Sequence, residues 1–142
     1  MTTVIVKTVS RLMVPFIQLF GLYTIIHGPV SPGGGFQGGV IVGASMILLA
    51  LSYDLSSAEA RASHKMRLIM DSGGILLFAG IGLLALLAGG AFLQYGMIPL
   101  PMAPAQVSGL MILLVGVAIG IHVMALMATL FFLMAQEKEE PV

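Results

Sequence analysis

The sequence predicts an all-α integral membrane protein: four transmembrane helices arranged as two hairpins, with both termini cytoplasmic. Three observations carry this. Apolar residues make up 58% of the 142-residue chain and charged residues only 8%, against about 25% charged in an ordinary soluble domain. The mean hydropathy is +1.08. No Asp, Glu, Lys or Arg occurs from Leu12 to Tyr53, or from Ser72 to Gln136. A membrane helix needs about 20 predominantly apolar residues, so each uncharged block holds two spans and a turn. The whole chain, 1–142, reads as a single membrane domain with helices over about 8–27, 36–54, 68–93 and 105–134.

The first helix follows an early Lys7 and Arg11. No small-residue cleavage site precedes a polar region, so it reads as a retained span and not a signal peptide. Pro15 lies inside it, where a kink is expected unless neighbours satisfy the freed carbonyl. Gln18 is its one strongly polar interior side chain, suited to an interhelical hydrogen bond or a polar contact along a proton path.

The stretch His27-Gly28-Pro29-Val30-Ser31-Pro32-Gly33-Gly34-Gly35-Phe36-Gln37-Gly38-Gly39 then joins two apolar runs without a charge. Proline removes a backbone donor and restricts its predecessor, so the first helix should end near His27. Glycine permits tight turns and close approach. The simpler reading is a short turn between spans. The sharper one is a close-contact wedge within a membrane assembly, where broken backbone is tolerated only under protein cover.

In the second helix Gly35, Gly39 and Gly43 recur every four residues, a tandem small-xxx-small packing face. The segment from Asp54 to Arg67 is the one markedly polar connection and reads as a solvated loop. Asp71 falls in the first turn of the third helix, where the dipole accounts for an acid. Gly73, Gly74, Gly80, Gly82, Gly89 and Gly90 make that helix thin. Pro99, Pro101 and Pro104 mark a turn. Gly109, Gly116 and Gly120 lie near a common face of the fourth helix.

Lys7, Arg11, Arg61, Lys65, Arg67 and Lys138 all fall on one side of a four-span chain. The positive-inside rule makes that side cytoplasmic.

Few chemistries remain. Zero net charge gives no sign of nucleic-acid partners, and the absence of cysteine excludes thiolate sites and disulfides. Three separated histidines lack metal-ligand spacing, and the methionines serve as apolar filler. The glycine-rich turn lacks the Gly-Lys-Ser/Thr ending of a phosphate loop. No catalytic residues, cofactor or metal are expected, and the chain is not read as an enzyme. His122, near the centre of the fourth helix, is the exception to an otherwise uncharged membrane interior. It is either a neutral hydrogen-bond partner or a proton-path contact to a neighbouring subunit's polar axis. His27 is a second candidate, or a turn-capping side chain.

The segment Pro15-Phe16-Ile17-Gln18-Leu19-Phe20-Gly21-Leu22-Tyr23, followed by the H-G-x-x-S-P-G-G-G-F-Q-G-G string from His27 to Gly39, resembles the MnhB/MrpB family. These are the B subunits of multisubunit Mrp-type (Mnh, Sha) cation/proton antiporters. Length and layout agree along the whole chain. The resemblance implies an accessory subunit of a hetero-oligomeric Na⁺/H⁺ antiporter in the plasma membrane of a bacterium or archaeon. Such a subunit is required for exchange but does not transport alone. Its implied partners are the large complex-I-like A and D subunits, which carry the membrane lysines and glutamates, and small membrane subunits. By motif position it also implies roles in assembly or the ion path for Pro32, Gly33, Gly34, Gly35, Phe36, Gln37, Gly38 and Gly39. A related domain occurs in complex-I-like hydrogenase assemblies, so a structural subunit of a redox-driven ion pump is the alternative. A stand-alone four-helix drug exporter would need a glutamate in the first helix, and none is present.

Overall fold

Little hydrophobic force draws helices together in a bilayer, so the faces that meet are those whose side chains allow close approach. The computed structural model, which describes residues 4–31, 33–53 and 63–136, follows that rule. Its helices are α1 (Val4–Ile26), α2 (Gly35–Tyr53), α3 (His64–Leu87) and α4 (Pro104–Gln136), with a 3-10 turn at Tyr95–Met97. All four helices are long and apolar enough to cross a membrane. No strand occurs among the described residues. α2 packs on both α1 and α4, while α4 also packs on α3 and only lightly on α1.

α1 continues through Pro15 and buries Ser10, Val14, Gly21 and Ile25. Ser52 Oγ donates to Ser10 Oγ at 2.7 Å, a buried interhelical hydrogen bond to which Gln18 is not a party. A Cβ on Gly21 would lie 2.6 Å from Val42 Cγ2, and with Ser10 opposite Ser52 this makes α1 and α2 antiparallel.

α2 has glycines on two faces. A Cβ on Gly38 would sit 2.6 Å from the Gly21 carbonyl oxygen of α1, and one on Gly39 would sit 2.7 Å from the Gly120 carbonyl oxygen of α4. A Cβ on Gly35 would collide with the Gly116 carbonyl. Gly43 continues the row, with Met127 Cβ at 3.0 Å from its would-be Cβ. The every-fourth-residue glycines therefore face α4, and Gly38 alone of this group faces α1.

The ends of α3 differ from expectation. It starts at His64 because Ser63 caps it, the Ser63 hydroxyl accepting the Met66 N–H at 3.4 Å. Asp71 is consequently about two turns inside the helix and not in its first turn. At the other end, Gly89 adopts φ 85°. Its N–H bonds to the Leu86 carbonyl, and the Gly90 N–H reaches back to the Ala85 carbonyl. This paired pattern is a Schellman stop, which ends α3 at Leu87. The glycine pair expected to thin the helix instead terminates it.

The chain then folds back. The Phe92 ring fills the space left by Gly82 and meets Phe78 edge-on at 6.2 Å. Ile81, Val107, Met111 and Val115 form the buried cluster between α3 and α4. Pro104 opens α4 at its first helical position, where its missing donor costs nothing.

Gly35→Ala should destabilise the fold by about 1–3 kcal/mol, because the opposing Gly116 backbone cannot yield. Gly73→Ala and Gly80→Ala, where nothing lies within 4 Å of the added Cβ, should be neutral or stabilising by up to about 1 kcal/mol. Thermal unfolding in detergent checks this, and equal midpoints for the Gly35 and Gly73 variants would refute the close-contact account.

Candidate functional site

Two features stand apart from plain helix packing. The first is the connection between α1 and α2. The His27 carbonyl accepts the N–H groups of Val30 and Ser31, each at 3.0 Å, and Ser31 Oγ donates to the Gly33 carbonyl at 2.8 Å. The backbone of His27 thus closes the turn, while its ring stacks on Tyr23 at 4.1 Å. Its Nδ1 is buried without a hydrogen bond among the described residues. Pro32 lies outside the described residues.

Beyond the turn the motif divides by face. Gly35, Gly38 and Gly39 are buried, whereas Phe36 is 63% exposed and Gln37 also points outward. Phe36 and Gln37 line an open groove of about 460 Å³ together with Phe20, Thr24, Val40 and Ile41. The glycines are used within the chain and the Phe36 ring is presented beyond it, while the exposed Gln37 side chain lays its Oε1 over Gly33. Gln18 is half-buried on α1.

The second feature is a polar pair between α3 and α4. Asp71 Oδ1 lies 2.6 Å from His122 Nδ1, with both side chains nearly a third exposed. The approach falls outside hydrogen-bond alignment. Asp71 is the sole carboxylate among the described residues. Small residues bring the backbones together here: a Cβ on Gly74 would lie 2.7 Å from the Ala118 carbonyl oxygen and 2.8 Å from His122 Cβ. Gly74 is one turn from Asp71 and Ala118 one turn from His122, so the close contact and the Asp71–His122 pair share one seam. The pair borders a pocket of about 250 Å³ lined by Gly74, Ile75, Phe78, Ile119 and His122.

One turn before Asp71, the buried Arg67 lays its guanidinium over the Phe132 ring, 4.3 Å from the centroid. Its aliphatic stem runs along apolar surface as expected of a long cation near a helix end. The sequence identifies His122 but not its partner. The signal that could have found it is Ser63 as an N-cap, which moves the start of α3 back and carries Asp71 inward. Among the described residues, no group of three or more His, Asp or Glu could hold a metal ion.

A protein-family profile described as a domain related to the MnhB subunit of Na⁺/H⁺ antiporter matches residues 5–129. The B-type Na⁺/H⁺ antiporter subunit of Bacillus subtilis is 34% identical over 79 residues, 55% of each chain. An uncharacterized protein of Methanocaldococcus jannaschii is 28% identical over 141 residues, covering 96% of this chain and 53% of its own. The chain spans about half the length of the curated relatives it matches. With four membrane-crossing helices and a match running through all of them, this multi-pass membrane protein belongs to the family of domains related to the MnhB subunit of Na⁺/H⁺ antiporters.

Proposed function

We propose that the chain is an accessory membrane subunit of a hetero-oligomeric monovalent cation/proton antiporter, required for exchange but not transporting alone. The observation that carries this is the family match across residues 5–129. The Bacillus subtilis relative, named as a Na⁺/H⁺ antiporter component, supports it. So does the distribution of charge. Ionisable groups within spans mark ion pathways, and the described spans hold a single carboxylate, Asp71. The transported ions, Na⁺ and H⁺, therefore depend on neighbours, for which large complex-I-like A and D subunits and small membrane subunits are the natural candidates.

In this reading the helices form two hairpins in the plasma membrane of a bacterium or archaeon. Both termini and the polar middle connection are cytoplasmic, since every Lys and Arg then falls on that side. The motif from His27 to Gly39 serves assembly. Its glycines lock α2 to α1 and α4, and Phe36 and Gln37 meet a neighbouring subunit in the groove beside Phe20.

Exchange in everted vesicles from antiporter-deficient cells tests the proposal. Activity is expected with the full complex, and none with the complex lacking this chain or with this chain alone. Exchange by the chain alone would overturn it. Phe36→Ala, which removes an exposed ring and leaves no internal cavity, should lower exchange several-fold while the complex still co-purifies. Unchanged exchange would remove Phe36 from any functional role.

A further inference from the structure

We propose that Asp71 and His122 bind one exchangeable proton as a unit within the membrane-spanning part of this chain. The proposal deepens the antiporter reading, on which it rests only for what the proton is coupled to.

The distance is the starting point. At 2.6 Å a carboxylate oxygen and a bare ring nitrogen repel, so the contact between Asp71 Oδ1 and His122 Nδ1 calls for a hydrogen on Nδ1, carried by the neutral Nδ1–H tautomer or by the imidazolium of a charged pair. One proton fewer than that charged pair leaves a neutral imidazole beside a carboxylate, with net charge −1; the added proton makes the unit neutral. Uptake moves a proton from a hydronium ion to the free His122 Nε2, breaking one O–H bond as the N–H bond forms, and release reverses both. No other bond changes.

The surroundings suit such a site. Of the residues lining the adjoining pocket, Gly74, Ile75, Phe78 and Ile119 are uncharged and only His122 can titrate. The charged neighbour on α3 is Arg67, held over Phe132 one turn away. His64 and Lys65 are exposed at the start of that helix. Residues 104–136 of α4 hold no ionisable group besides His122, and α2 offers only the Tyr53 phenol. The 3-10 turn adds Tyr95, and α1, in light contact with α4, carries Lys7 and Arg11 near its start. No second carboxylate among the described residues competes for the proton. Both members keep nearly a third of their side-chain surface open.

Histidine-¹⁵N labelling of this chain in the purified complex tests the site. The His122 resonance is assigned by its loss in His122→Gln, which leaves two histidines to observe. In the wild type its two ring nitrogens should titrate together. In Asp71→Asn the midpoint should move, because the carboxylate beside the ring is gone. Asp71→Glu should restore it at least in part. An unmoved midpoint in Asp71→Asn, or a wild-type ring that stays in one state from about pH 5 to 9 around the ordinary histidine range, would overturn the proposal. The wild-type arm needs no variant to fold. In vesicles, Asp71→Asn and His122→Gln should each lower exchange at least tenfold, and the double variant no further. Additive losses would show two independent groups instead of one unit. A complex that exchanges nothing while His122 still titrates with Asp71 would sink the antiporter reading and leave the proton pair intact.

Discussion

Close approach of α2 and α4 is the constraint on which the rest of the structure depends. Gly35 meets the Gly116 backbone and Gly39 meets that of Gly120, so on each side of this seam the contact is to main chain. Dispersion is weak per atom pair and falls away steeply with separation, so helices in lipid gain most where nothing projects between them. Ile25 of α1 reaches the same place: a Cβ on Gly120 would lie 2.8 Å from Ile25 Cδ1. One isoleucine thus keys three helices together at the end of α1 where the chain turns. The turn itself must be short and uncharged for α2 to begin directly at that contact. Its hydrogen bonds are supplied by the His27 carbonyl and the Ser31 hydroxyl.

A second seam repeats the device between α3 and α4, with a different outcome. Gly74 lets the two backbones close on each other at Ala118 and His122, and that closeness brings Asp71 to the imidazole. Without the small residues the two side chains could still lie on facing helices, but not at 2.6 Å. Packing here sets electrostatics. α4 is therefore the shared wall of the molecule, glycine-faced towards α2 and apolar towards α3 except at His122.

The four spans, the turn after His27 and the Gly35/Gly39/Gly43 register were all legible in the sequence, because each is a local property of charge gaps, breakers and spacing. Gly116 and Gly120 were legible as a face but not as the partners of Gly35 and Gly39, since pairing across helices leaves no mark in either stretch alone. The limits of α3 were misread for two local reasons. Hydropathy rises only after Arg67 and so hides a cap at Ser63. A Gly-Gly pair reads equally as a thin helix or as a Schellman stop until the φ of Gly89 decides. The first error had the larger consequence, since it left Asp71 looking like an interfacial acid. Pro32 and most of the polar middle connection fall outside the described residues.

The Asp71–His122 pair is hard to account for as a stabilising element. Half-buried ion pairs lose much of their Coulomb attraction to desolvation, and apolar replacements of similar volume are often neutral or better. The neighbouring cluster of Ile81, Val107, Met111 and Val115 already holds α3 to α4 by ordinary apolar contact. The acid and the imidazole lie against each other between helices whose neighbouring contacts are apolar. An imidazole beside a carboxylate does provide something the apolar alternatives cannot, a change of charge with the gain or loss of one proton. That property, and not cohesion, is the physical argument for regarding the pair as functional.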